Sequence, residues 1–227
     1  NAPRSMPSEA FGYTPRRYHR PMLLQRIQQQ FIDSADLKYQ CAQSLAPAVE
    51  AAIAAMLASL TGGGKLLTCG NGASAAAAQH FAASFLGRHE RERPGLAAFS
   101  LSANAAVITG IADDFDNRAV FARQVHALGQ SGDVLLLMTS NGQAPNLLAA
   151  VEAAHEREMT VVALTGARGG RLAQLLRDTD VHICVPADQP SRIQEVHQLV
   201  LHCIADGLDA QLLGPPETPN PEQENPA

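Results

Sequence analysis

The chain has 227 residues, a net charge of −5 at pH 7, 46% hydrophobic residues and 17% charged ones. That balance argues against a disordered chain and against a strongly basic nucleic-acid binder, and the length is enough for one domain with its own core. Aromatics make up 4% and tryptophan is absent, which argues against a stacking platform for single-stranded nucleic acid.

Residues 1–20 are polar, basic and proline-bearing, with no apolar signal core, and read as a flexible arm. Residues 214–227, GPPETPNPEQENPA, read as an extended acidic tail. A single domain is expected over 21–213. No uninterrupted apolar run of about 18 residues occurs, so no membrane span is predicted and a cytoplasmic location is expected. Cys41, Cys69, Cys184 and Cys203 form no C-x-x-C pair and read as small core residues.

Leu24, Ile27 and Phe31 keep helical spacing. A second helix is predicted from Pro47, with Val49, Ile53, Met56, Leu57 and Leu60 as its stripe and Thr61-Gly62-Gly63-Gly64 as its end. From Lys65, apolar strands at 65–69, 97–101, 133–139, 160–165 and 181–185 alternate with helical stretches at 73–87, 104–127, 145–157 and 168–177. A closing helix is predicted over 190–213. The alternation predicts an α/β fold, a doubly wound parallel sheet of five strands preceded by extra N-terminal helices. In such sheets ligands bind at the carboxyl ends of the strands, near a reversal of strand order.

The strand-to-helix junctions are therefore the places to search. The first, Cys69-Gly70-Asn71-Gly72-Ala73-Ser74, offers small residues, backbone N–H groups and a helix start. It is neither a complete dinucleotide fingerprint nor a P-loop, and alone it reads equally as a tight turn or a phosphate site. The second, Thr139-Ser140-Asn141-Gly142-Gln143-Ala144, again ends a strand in hydroxyl and amide groups before a helix. Two such junctions on adjacent strands favour a shared anionic ligand. A third, Thr165-Gly166-Ala167-Arg168-Gly169-Gly170, reads as a plain turn that carries a cation. On the helices, His80 and Ser84 share a face, as do Gln194 and His202 two turns apart, with His197 nearby. His80, Gln194 and His202 could ligate a metal, but their spacing matches no local zinc motif.

Taken together, GNGASAAAAQHFAASFLGR at 70–88, QSGDVLLLMTS at 130–140 and SRIQEVHQLVLHCIAD at 191–206 resemble the sugar isomerase (SIS) domain family. Within it they are most similar to the phosphoheptose isomerase branch and to its DiaA relatives, which associate with the replication initiator DnaA. The resemblance covers roughly residues 24–213 and implies a flavodoxin-like domain, a homotetramer with sites at subunit contacts, and a phosphorylated sugar as ligand. Isomerase members convert sedoheptulose 7-phosphate to a heptose 7-phosphate by moving a proton between C1 and C2, which needs an acid and a base. The resemblance gives that work to a glutamate four residues after the AQH histidine and to a histidine on the last helix. In this chain those positions are Ser84 and His202. The same resemblance makes His80, Gln194 and His202 zinc ligands. It puts the sugar and its phosphate on Asn71, Gly72, Ser74, Arg88, Asn104, Thr139, Ser140, Asn141 and Gln194.

The departures are chemical. A serine hydroxyl cannot replace a carboxylate base without an activating partner. The family's S-T-S-G-N-S loop has lost two hydroxyl groups at Asn141 and Ala144, and an expected aspartate is Asn104. The expectation is a DiaA-like, phosphosugar-binding tetramer that binds DnaA, with no required cofactor and zinc as the metal the resemblance allows. Direct nucleic-acid and membrane partners are not expected. The alternative is an active phosphoheptose isomerase with His202 retained and Glu195, Asp113 or Asp114 as its base.

Overall fold

The computed structural model describes residues 20–214. The predicted arm and tail lie outside the described residues except for Arg20 and Gly214. Contacts divide the chain after Asp36. The described part of the first unit is the opening of one long helix, with Met22, Leu24, Ile27 and Phe31 exposed. The second unit holds the rest of that helix and everything after it.

Six helices and five strands are formed among the described residues: α1 (Arg20–Thr61), β1 (Leu66–Gly70), α2 (Ala73–Leu86), β2 (Ala98–Ser100), α3 (Ala105–Asp114), α4 (Ala119–Leu128), β3 (Val134–Met138), α5 (Pro145–Glu156), β4 (Thr160–Thr165), β5 (Val181–Cys184) and α6 (Pro190–Leu213). All strand pairs are parallel, in the order β2-β1-β3-β4-β5. This is the doubly wound flavodoxin-like α/β arrangement expected from the alternation of elements.

β1 and β3 are buried at every position, which explains why their sequences are apolar without alternation. Alternate residues nevertheless serve opposite cores. Leu66, Leu136, Met138, Val162 and Leu164 join Met56, Phe81, Phe85, Ile193 and Ile204 on the face covered by α1, α2 and α6. Leu67, Leu135, Leu137, Val161 and Ala163 join Phe121, Val125, Leu147 and Val151 on the face covered by α4 and α5. The strand starts are tied by Asp133, whose carboxylate accepts from the Lys65 ammonium at 2.6 Å and from the backbone N–H groups of Lys65 and Gln130.

Three segments differ from the expected elements. α1 is one helix of 42 residues with Pro47 inside it, not two helices with Pro47 at a start. The missing proline N–H removes one backbone bond, but the alanine-rich flanks carry the helix through. By length and composition α1 could cross a membrane, with a window of mean hydropathy 1.5, because alanines raise the mean without forming an unbroken apolar run. Core helices of soluble proteins share that property, and Cys41, Leu45, Ala52 and Met56 of α1 are buried in the core. The stretch 104–127 breaks into α3 and α4, because Asp116 turns its carboxylate onto the Ala119 N–H and caps a new start. The stretch 168–177 forms two short 3-10 turns, Ala167–Gly169 and Leu172–Gln174, in place of a helix. Positive φ at Gly169 and Gly170 is incompatible with helix continuation. Of the four cysteines, Cys41 and Cys69 are buried as expected, while Cys203 is exposed.

The segment between α2 and β2 is fastened by Arg93. Its guanidinium pairs with Asp209 of α6, both side chains being 2% exposed, and donates to the carbonyls of Ser84 and Phe85 at the end of α2. Substituting Arg93→Met leaves the Asp209 charge buried and unpaired, so urea unfolding of the variant is expected to show a loss of about 3–5 kcal/mol. A loss below about 1 kcal/mol would mean that water reaches the pair.

Candidate functional site

Every strand points its carboxyl end to one edge of the sheet, and there the chain leaves β1 and β3 toward opposite faces. A cleft of about 550 Å³ opens at this edge between α2 and α6, with Met138 at its floor. Ala73, Ser74, Ala76, Ala77 and His80 of α2 form one wall, and Gln194, His197, Gln198 and His202 of α6 the other.

The β1 junction is shaped by glycine. A Cβ on Gly70 would meet Ser74 at 2.7 Å, and Gly72 adopts φ 56°, ψ −123°, a conformation open to glycine almost alone. Ser74 thereby enters the first turn of α2, its N–H bonded to the Asn71 carbonyl. Asn71 does not point free into solvent: its amide exchanges two 2.9 Å hydrogen bonds with that of Asn146, which is 4% exposed at the start of α5. The first and second junctions are thus tied to each other. In the second, the Thr139 hydroxyl accepts from Gly142 N–H and the Asn141 side chain accepts from Gln143 N–H. Thr139, Ser140 and Asn141 shape this loop but are not part of the α2–α6 cleft wall.

The structure brings Ser74, His80, Gln194 and His202 together in the cleft, with Gly72 directly before its α2 wall. It does not bring Arg88 or Asn104 there. Arg88 forms an exposed pair with Glu92, and Asn104 caps α3 by accepting from Val107 N–H. Ser84 turns its hydroxyl back to donate to the Phe81 carbonyl at 2.8 Å. The three acids named as substitute bases are also elsewhere. Asp113 and Asp114 are exposed at the end of α3, and Glu195 is engaged by Arg192. No Asp, Glu, Lys or Arg among the described residues lines the cleft.

What remains is a set of imidazoles and amides. His80 and His202 lie with ring centroids 5.9 Å apart, and His89 approaches His202 at 5.6 Å. Gln198 shares a 2.8 Å hydrogen bond with His202 Nε2. Burial, then repulsion from His89 and His80, pushes the His202 pKa down from 6.5, with Glu90 opposing. His202 is therefore neutral at pH 7 and able to accept a proton. His197, 2% exposed, donates from Nε2 to the Thr165 carbonyl, which fixes its tautomer. Gln198 and His197 were readable as neighbours of His202 and Gln194 from helical spacing. His89 lies in an irregular segment where no periodicity could signal it.

This donor set is poorly suited to zinc. His80, His202 and Gln194 offer only two imidazoles and a weak amide donor, and among the described residues no group of three or more His, Cys, Asp and Glu comes together to hold a metal ion.

Burial lowers the His197 pKa below 6.5, with the Thr165 hydrogen bond opposing. The unfolded chain then takes up this proton at higher pH than the fold does. The stability linked to His197 is therefore present above 6.5 and is lost as pH falls toward the folded value. Urea unfolding between about pH 7 and about pH 5 should show a smaller acid loss in His197→Gln than in the parent chain. Equal slopes would refute this assignment.

Comparison with known proteins adds an independent finding. A family model described as SIS domain matches residues 30–166. A protein named phosphoheptose isomerase from Methylibium petroleiphilum is 56% identical over 193 residues, covering 85% of this chain and 96% of that protein. One of the same name from Azoarcus sp. is 55% identical over 192 residues, covering 85% and 98%. The solved phosphoheptose isomerase GmhA from Neisseria gonorrhoeae is 42% identical with a TM-score of 0.79, covering 83% of this chain and 99% of that one.

Proposed function

The chain belongs to the SIS domain family, and we propose that it binds a phosphorylated sugar at the β1 and β3 junctions without turning it over at the rate of an isomerase. The observation behind this reading is the chemistry of the cleft wall, which carries amides and imidazoles but no carboxylate. Position 84, where the family resemblance expects the glutamate, holds a serine whose proton is already committed to Phe81. Loss of a general acid/base costs about 10²–10⁴ in rate, whereas it leaves phosphate and hydroxyl contacts in place.

In this reading the ligand is sedoheptulose 7-phosphate or a close relative. Its phosphate meets the start of α2, at Ala73 and the Ser74 hydroxyl, and the Thr139–Asn141 loop. Gln194 and His202 take the sugar hydroxyls, and zinc is not required. The exposed apolar side chains of α1, Phe31 and Tyr39 among them, suit a homotetramer. We assign the assembly a regulatory role in the cytoplasm like that of DiaA, with DnaA as protein partner. A second reading, an active phosphoheptose isomerase, draws on the relatives of that name at 56% and 55% identity and on the neutral His202.

Deuterium exchange at C1 of sedoheptulose 7-phosphate in D2O, followed by NMR, separates the two. The parent chain should bind the sugar but exchange about 10²–10⁴ times more slowly than Ser84→Glu, which should also gain zinc. Exchange in the parent equal to that of Ser84→Glu, and abolished by His202→Ala, would establish the isomerase instead. Pull-down with purified DnaA tests the partner separately.

A further inference from the structure

The third junction, between β4 and β5, reads in sequence as a plain glycine turn. Its backbone is more unusual than that. Four consecutive residues have positive φ: Ala167 at 46°, Arg168 at 63°, Gly169 at 78° and Gly170 at 56°. Two of them are not glycine, and such conformations persist only where the surroundings hold them. Ala167 N–H is held by the Ala187 carbonyl, and the glycines are held by the loop after β3. A Cβ on Gly142 would lie 1.9 Å from the Gly169 carbonyl oxygen, and a Cβ on Gly170 would lie 2.2 Å from the Asn141 carbonyl oxygen. The two backbones therefore interlock with no room for a side chain on either. Leu172 N–H donates to the Gly142 carbonyl at 3.1 Å, and Leu172 itself is fully buried. Behind the turn, a Cβ on Gly169 would meet Ala173 at 2.7 Å and His182 of β5 at 2.8 Å. His182 in turn bonds the Thr165 hydroxyl at the end of β4.

We propose that the segment Gly166–Leu172 is a brace that sets the conformation of the Thr139–Gln143 loop for anion binding, with Gly142 and Gly170 as its positioning residues. This rests on the phosphosugar reading above, which gives that loop its ligand. The unusual backbone at Ala167 and Arg168 follows from the geometry: the chain must turn through the left-handed region to lay the Gly169 carbonyl against Gly142. On the other side the Asn71–Asn146 pair ties the first junction to α5. The three junctions are thus linked in series, and the brace acts on phosphate affinity through the middle one. Arg168 is carried on the brace as a surface residue and makes no contact with the ligand.

The test is titration of the purified full chain with inorganic phosphate and with sedoheptulose 7-phosphate. Gly170→Ala should weaken both at least tenfold. Gly132→Ala is the control: its φ is also positive, at 87°, but nothing lies within 4 Å of the added Cβ. It should change affinity less than about twofold while carrying the same kind of backbone strain. Arg168→Gly should likewise leave affinity within about twofold, since a glycine relieves the left-handed backbone without disturbing the interlock. A tenfold loss in Arg168→Gly would make this segment a ligand-contacting loop and overturn the brace. If Gly170→Ala does not fold, hydrogen exchange in the parent chain decides: phosphate should slow exchange at the Leu172 amide, and an unchanged rate would reject the proposal. A parent chain that binds neither probe would sink the phosphosugar reading and this role with it. Equal binding by the parent and Gly170→Ala would sink this role alone.

Discussion

Between Leu66↔Val134 and Gly70↔Met138 the parallel ladder of β1 and β3 is continuous, so the two strands leave the sheet side by side and at the same height. Their chains then part. α2 turns to the face that buries Phe81 and Phe85, and α5 to the face that buries Leu147 and Val151. The backbone groups just beyond each strand have no ladder partner and must be satisfied by local turns, by side chains or by a ligand. The geometry of the site follows from this divergence. Gly72 bends one chain away, Thr139 and Asn141 cap the other internally, and the Asn71–Asn146 amide pair bridges the parting.

The chemistry within the cleft is set by what the walls omit. Neutral amides and imidazoles hold hydroxyl groups and accept protons weakly, but they supply no fixed negative charge. Partial desolvation and its histidine neighbours lower the pKa of His202 although the residue is exposed, and Gln198 donates a hydrogen bond to its ring. Such a pair can orient a sugar, while proton transfer between adjacent carbons needs a second group to take the proton that the first gives up. Asp113 and Asp114 are exposed and Glu195 is engaged by Arg192, while Glu90 acts on His202 without lining the cleft.

Strand positions were readable from apolar runs because a sheet buried on both faces imposes them residue by residue. The observed β4, Thr160–Thr165, coincides with its predicted span, and α6 with its own from Pro190 to Leu213. Continuity within helices was less readable. Pro47 looks like a start in sequence, yet the neighbouring alanines let α1 run through it, and Asp116 breaks a stretch whose apolar spacing is unbroken. The cleft residues on α2 and α6 were accessible from helical spacing, since His80, Gln194 and His202 each face the same gap. Arg88 and Asn104 were not, because their placement depends on the irregular segment after α2 and on a helix cap. The role of the third junction was hidden for a similar reason. A glycine required by close approach of another loop looks, in sequence, like a glycine required by its own turn.

Binding and turnover draw on different parts of this structure, and that makes them separable. A carboxylate general base contributes about 10²–10⁴ in rate, or about 3–5 kcal/mol of barrier, from one side chain. A serine at position 84 leaves no buried group unsatisfied, because the Ser84 hydroxyl bonds to Phe81 within its own helix. The anion site proposed above would rely instead on backbone groups whose directions are fixed by glycines packed against other backbone. A side chain added at Gly70, Gly142 or Gly170 would collide with main chain at under 3 Å. Substitution therefore erodes the acid/base side of such a site more readily than its phosphate cradle. A protein that keeps the cradle and loses the carboxylate is the outcome this asymmetry favours.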